Sequence, residues 1–146
     1  MDTIFQKLNQ AGARYLLIGG QAMRLHGLPR YSMDWDLFIP SKDEANHALI
    51  NEALKDDLEL PVVLLGSKGE NFLQTEQLAL GILQFHLVVP GLQFASAEKE
   101  SLFLQEKGGT LVRCVSALDL LKSKLAANRP VDQQDILFLR VKLGQD

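Results

Sequence analysis

Tyr15-Leu16-Leu17-Ile18-Gly19-Gly20, then thirteen residues, then Asp34-Trp35-Asp36-Leu37-Phe38-Ile39-Pro40 is the stretch that decides how this chain folds. The first run is continuously apolar and too short for a stable helix, so it reads as a buried strand. Gly19-Gly20 breaks it. Gln21 to His26 then read as a helix, ending at Gly27 with Pro29 just beyond. Asp34 to Ile39 alternates acidic and apolar residues before becoming wholly apolar, and Pro40 closes it as a second strand. The spacer allows one short helix and a return into a neighbouring strand, so the glycines and the aspartates can face each other across a cleft.

The chemistry lies in the alternation. Asp34 and Asp36 sit at i and i+2 on a strand, so both carboxylates leave one face, their Cα atoms roughly 6–7 Å apart. Two converging carboxylates repel unless a cation lies between them, and a hard ion such as Mg²⁺ meets that need when phosphate oxygens complete its shell. Trp35 and Leu37 point the other way and anchor the strand. Asp-x-Asp alone is also what a solvated strand edge looks like, and Gly-Gly alone is a plain turn. Together they become specific, because bare backbone between a strand and a helix can approach a phosphate.

Outward from this centre the chain alternates helices and strands. Ile4, Phe5, Leu8 and Ala11 recur at helical spacing before Gly12. Ser41 is a candidate N-cap with Glu44 at the third position, opening a helix to about Lys55. Pro61 to Leu65 is expected as a short strand before a Gly66-Ser67-Lys68-Gly69 loop, Asn71 to Leu80 is open between strand and helix, and Ile82 to Val89 is expected as a central strand. Leu102–Gln105 and Thr110–Val115 flank Lys107-Gly108-Gly109 as a hairpin. Ser116 caps a helix with Asp119 at its third position and an expected stripe of Leu118, Leu121 and Leu125. Asn128-Arg129-Pro130 interrupts it, and a last helix from about Val131 to Lys142 offers Ile136, Leu137, Leu139 and Leu143 to the core. Without repeats or linkers, residues 1–146 are expected as one α/β (α+β) domain, with a core over 12–115 and a C-terminal helix pair over 116–143.

Composition sets the bounds. A chain of 146 residues holds one ordinary domain, and 47% apolar with 23% charged residues is the balance of a soluble globular protein. The net charge of −3 offers no electrostatic footprint for a long nucleic-acid duplex. The single cysteine, Cys114, excludes an internal disulfide framework and is expected as a buried strand residue. No signal peptide or membrane-spanning run is seen in the sequence, so no membrane partner and a cytoplasmic location are expected.

The motif resembles the signature of the polymerase-β-like nucleotidyltransferase superfamily: an apolar residue, Gly-Gly or Gly-Ser, a spacer, then Asp-apolar-acid-apolar. The fuller stretch Gly19-Gly20-Gln21-Ala22, His26-Gly27, Arg30, Ser32, Asp34-Trp35-Asp36 is similar to small bacterial AbiEii-type proteins. A second block, Leu118-Asp119-Leu120-Leu121, Lys124, Ala127, Arg129-Pro130, Asp132 and Asp135, resembles the helix pair downstream in those proteins. The resemblance implies a nucleotidyltransferase fold, a mixed sheet flanked by helices with the site at one edge. It also implies transfer of a nucleoside monophosphate from an NTP, with ATP the expected one and Mg²⁺ or Mn²⁺ the expected ion.

Carried over residue by residue, the resemblance gives Gly19 and Gly20 the phosphates and Asp34 and Asp36 the metal. Gln21, Arg30 and Ser32 fall beside the nucleotide, Lys124 reaches it from the C-terminal helices, and Asp132 orients that helix or touches the site. For Lys124 and Asp132, an exposed helix charge is the competing reading. One position departs from the pattern: where the family often has a third carboxylate on a later strand, this chain has His86. A neutral imidazole can serve as general base near neutral pH, though it is a poorer Mg²⁺ ligand than a carboxylate. It can equally be a packing residue. His26 and His47 are expected to be peripheral.

Two functions follow. The first is a metal-dependent nucleotidyltransferase acting on a hydroxyl of a tRNA end, a protein or a small molecule, with a toxin–antitoxin or defence setting implied by the resemblance. The second is a non-catalytic module of the same fold that binds a nucleotide or a partner protein. A hydrolase using Asp34 as nucleophile finds no further motif.

Overall fold

The computed structural model describes residues 1–63, 73–78 and 81–145. The elements run α1 (Asp2–Ala11), β1 (Leu16–Ile18), α2 (Gly19–Leu25), β2 (Asp34–Phe38), α3 (Glu44–Ala53), β3 (Leu73–Leu78), β4 (Gly81–His86), α4 (Phe94–Lys99), β5 (Leu102–Gln105), β6 (Leu111–Cys114), α5 (Ala117–Ala127), a 3₁₀ turn (Pro130–Asp132) and α6 (Gln133–Lys142). The six strands form one mixed sheet in the order β3-β4-β2-β1-β6-β5. β1 runs antiparallel to β2 and parallel to β6, while β2 runs parallel to β4. β2 is therefore an interior strand, flanked by β1 and β4.

Alternation along β2 divides the two faces. Trp35 and Leu37 are buried, while Asp34 and Asp36 are half-buried on the other side. α1 covers the Trp35 face: Phe5 packs against Trp35 and Tyr15, with ring centroids 5.5 and 5.7 Å apart. The core gathers there, including Phe5, Leu8, Leu17, Leu37, Leu83 and Phe85. Cys114 is among these buried groups, and burial pushes its thiol up to about 12, as expected for a strand residue rather than a reactive one.

Several local expectations hold. Gly12 caps α1 in the left-handed conformation, Ser116 accepts from the Asp119 backbone N–H, and β5 pairs β6 as the hairpin. Others shift for physical reasons. Gly19 and Gly20 form the first turn of α2 instead of preceding it. The cap of α3 is Asp43, whose carboxylate accepts from the Asn46 N–H, rather than Ser41, and the helix ends at Ala53. Pro61–Val63 is not a strand, because its backbone bonds side chains instead. Asn51 accepts from Val62 N at 2.6 Å and Gln74 accepts from Val63 N at 3.1 Å. The rest of that expected strand and the Gly66–Gly69 loop lie outside the described residues. The ambiguous Asn71–Leu80 segment contains β3, and β4 stops at His86, three residues before Val89.

Candidate active site

The site begins with a close approach between β1 and β2. Ile18 pairs with Asp36 across the antiparallel ladder, so the residue after Ile18 meets the Asp36 side chain. That residue is Gly19, with φ +71°, and a Cβ there would lie 2.6 Å from Asp36 Oδ2. Only glycine suits both the conformation and the space. Gly20 faces elsewhere: a Cβ would touch Ser32 at 3.4 Å and Arg30 Nε at 3.5 Å.

From the parallel neighbour β4, His86 Nε2 lies 2.7 Å from Asp36 Oδ1. An ionised carboxylate only accepts, so Nε2 carries the proton and donates it, which leaves Nδ1 as the acceptor of the neutral ring. Asp36 is thus held between His86 and the bare backbone of Gly19. Asp34 sits one pleat away. Its backbone N–H donates to Ser32 Oγ at 3.2 Å, and Gln21 Nε2 donates to Ser32 O at 2.6 Å, so the loop entering β2 is braced from α2.

The C-terminal helices bring Lys124 and Arg129 to the same place, each paired with an acid of the same segment. Lys124 is buried, with Nζ 2.8 Å from Asp135 Oδ2 and 3.3 Å from Asp132 Oδ1. Arg129 grips Asp132 through Nε at 2.7 Å and Nη2 at 2.9 Å, and Arg30 reaches Asp135 at 2.7 Å. Burial resists ionisation of Asp132, but the bonds from Arg129 and the charge of Lys124 outweigh it and hold its carboxyl below the usual range. The hydrogen bond to Asp132 raises Arg129, and the charge of Asp36 adds to the effect, which places Arg129 in the field of β2.

Part of this set lines one cavity of about 410 Å³. Gly19, Asp34, Asp36, His86, Lys124 and Asp132 line it, so six of the ten residues singled out by sequence are brought together. Gln84, Ser123 and Arg129 join them, and Val88, Val89, Leu92 and Leu120 form an apolar wall. Gln21, Arg30 and Ser32 line a second cavity of about 370 Å³, while Gly20 lines neither. Arg129 is a site residue that the motif does not single out; its place before Pro130, where the helix pair turns, is the signal the sequence offers for it. His26 donates to Val115 O at 2.8 Å and is structural, and burial lowers its basicity. His47 lies buried in α3, away from the cavity.

Among the described residues no group of three or more His, Cys, Asp and Glu side chains is arranged as a metal cage. The donor set fits a different mode. Mg²⁺ is commonly held by one or two carboxylates together with substrate phosphates, and Asp34 and Asp36 leave one face of β2 into one cavity. Lys124 and Arg129 line the same cavity, each already paired with Asp132.

No protein-family model and no curated protein sequence matches the chain. Solved structures do. A candidate nucleotidyltransferase from Thermotoga maritima superposes with a TM-score of 0.61 at 14% identity, over 97% of this chain and 88% of that one. The antibiotic-resistance factor ANT(2'')-Ia, in complex with adenylyl-2''-tobramycin, gives 0.59 at 15%, over 97% and 86%. The lincosamide antibiotic adenylyltransferase LnuA, with lincomycin bound, gives 0.55 at 15%, over 94% and 92%. At such identities the likeness speaks for architecture: a six-stranded mixed sheet flanked by helices, the nucleotidyltransferase fold.

Proposed function

We propose that the chain is a metal-dependent nucleotidyltransferase that moves a nucleoside monophosphate from an NTP, ATP first, to a hydroxyl acceptor, the hydroxyl oxygen bonding to the α-phosphate as the bond to pyrophosphate breaks and pyrophosphate leaves. The observation that carries this is the pairing of Asp34 and Asp36 on one face of β2, opening into a cavity that Lys124 and Arg129 also line. A divalent ion carried in with the triphosphate, Mg²⁺ or Mn²⁺, supplies charge neutralisation at the reacting phosphate when bound. Asp34 and Asp36 hold it. Lys124 and Arg129 draw the phosphates in and balance their charge, and Gly19 keeps room beside Asp36. His86, oriented by Asp36, offers Nδ1 to take the proton from the acceptor hydroxyl. Gln21 and Ser32 hold the entry to β2 in place, and Asp132 fixes Lys124 and Arg129.

The acceptor classes in play are a tRNA end, a protein hydroxyl and a small molecule. The neighbours whose names describe antibiotic adenylylation favour the small molecule. A cytoplasmic toxin–antitoxin or defence setting, with a partner protein, belongs to the same proposal.

One observation favours a second reading, the non-catalytic module. His86 already donates to an oxygen of Asp36, so one acceptor of the carboxylate pair is satisfied without an ion. α-Labelled NTPs with Mg²⁺ or Mn²⁺ and pooled acceptors, run beside an Asp34→Asn/Asp36→Asn variant, separate the two. Transfer lost in the variant supports the enzyme. Nucleotide binding without transfer supports the module.

A further inference from the structure

Three cations meet two acids where the C-terminal helices pack. Asp132 accepts two bonds from Arg129, at 2.7 and 2.9 Å, and Asp135 accepts one from Arg30 at 2.7 Å. Lys124 Nζ lies against both acids, 2.8 Å from Asp135 Oδ2 and 3.3 Å from Asp132 Oδ1. Each carboxylate thus has an arginine of its own, and Lys124 duplicates both. The acids are the deeply buried members, with side chains 3% and 7% exposed, whereas Arg30 and Arg129 come from a wetter side at 38% and 60%. A buried carboxylate left without a partner costs far more than a half-exposed cation left without one. Of the three cations, only Lys124 can depart and leave each acid with its arginine.

Arg30 differs from the other four in origin. It lies on the loop between α2 and β2, which carries Ser32 and leads directly to Asp34. Among the described residues, Arg30–Asp135 is the only ion pair that joins the C-terminal helices to the rest of the chain. Lys124 lines the cavity of Asp34 and Asp36, and Arg30 lines the second cavity.

We propose that Arg30 is a positioning residue, the standing counter-ion of Asp135 that leaves Lys124 free to turn to a nucleotide phosphate beside Asp34 and Asp36. The inference rests on the function proposed above, and it moves Arg30 from a place beside the nucleotide to one behind Lys124. A phosphate that draws Lys124 away replaces one charge-assisted partner by another. Asp135 keeps Arg30 and Asp132 keeps Arg129, so neither buried charge is stranded. Without Arg30, Lys124 is the remaining cation on Asp135, and a phosphate must compete with a buried carboxylate for it.

Calorimetric titration of a non-hydrolysable NTP with Mg²⁺ into the parent, Arg30→Gln, Asp135→Asn and the double variant tests this. Arg30→Gln should weaken binding about 10–100-fold, the usual contribution of one hydrogen bond to a charged group. Asp135→Asn should bind at least as tightly as the parent. The double variant should return to within about threefold of the parent, because the acid that holds Lys124 back is gone. A guanidinium in direct contact with the phosphate would leave the double variant as weak as Arg30→Gln, and a plain structural brace would weaken all three. Either result overturns the proposal.

A second cycle needs no nucleotide. In urea unfolding, Lys124→Met with Arg30→Gln should lower the folding equilibrium constant at least about tenfold beyond the product of the single effects, since only together do they strip Asp135 of its cations. A pair that fails to fold, and folds again once Asp135→Asn is added, supports the proposal equally. Single effects that simply multiply overturn it. Should the parent bind no nucleotide, the proposed function fails and this cycle alone decides the sharing of Asp135.

Discussion

Gly19→Ala and Gly20→Ala form a matched pair whose outcomes should have opposite sign. At Gly19 the backbone has φ +71°, where an L-residue costs about 1–2 kcal/mol. The new Cβ would stand 2.6 Å from Asp36 Oδ2 and 3.3 Å from its Cγ. The carboxylate must swing aside, and its bond with His86 goes with it. A hydrogen bond to a charged group contributes about 1.5–3 kcal/mol, and partial exposure puts this one at the low end. The two effects add to a loss of about 2.5–4 kcal/mol. At Gly20, φ is not positive and the nearest atoms lie at 3.4 and 3.5 Å, an ordinary contact distance. Alanine within a helix there should gain about 0.5–1 kcal/mol. Guanidinium denaturation followed by far-UV circular dichroism, with equal m-values, reads the difference directly. For a chain of this length Gly19→Ala should also lower Tm by about 5–15 °C. Two variants within about 1 kcal/mol of each other, or Gly20→Ala the weaker, would refute the packing of Asp36 against Gly19.

Three shorter predictions test other links. His86→Ala should lower the transfer rate about 10²–10⁴-fold, the usual worth of a general base, while nucleotide affinity measured by calorimetry stays within about threefold. Asp132 titrates lower folded than unfolded, where its ordinary value is 3.8. Its stabilisation is therefore fully present above that value and lost as pH falls through the folded one. Asp132→Asn should accordingly lose less stability than the parent between about pH 4 and pH 2, by denaturant titration at each pH. Cys114, buried and raised to about 12, should resist a thiol-reactive disulfide reagent at mildly alkaline pH until the chain unfolds, so its labelling rate tracks unfolding.

What was legible in the sequence followed from short-range rules. The run at Tyr15–Ile18, the break at Gly19-Gly20 and the alternation from Asp34 give β1, α2 and β2 nearly in place, and Ser116 with Asp119 gives the start of α5. The helix faces were less legible. Leu118, Leu125 and Leu137 were expected inside but are substantially exposed, whereas Lys124, Asp132 and Asp135 are buried. An apolar stripe cannot reveal the phase of a helix whose inner side is a set of mutually paired charges. The exchange of Ser41 for Asp43 as a cap has a similar root. Both offer an oxygen, and a tertiary partner decides: Arg14, bonded to Asp43 at 3.0 Å, holds that residue at the helix start. Gathering Asp34, Asp36 and His86 required the parallel pairing of β2 with β4, a non-local contact that the motif spacing alone does not encode. The separation of Gln21, Arg30 and Ser32 into a second cavity was equally invisible, because it depends on which side of α2 meets the loop before β2.

The most direct test of the central claim is calorimetric titration of Mn²⁺ with a non-hydrolysable NTP into the parent chain and into Asp34→Asn/Asp36→Asn. Expected is metal-dependent nucleotide binding to the parent that weakens at least about tenfold, or about 1.4 kcal/mol, in the variant, with the variant still folded. Metal-dependent binding of equal strength in both would contradict the assignment of Asp34 and Asp36 as the carboxylates that hold the ion.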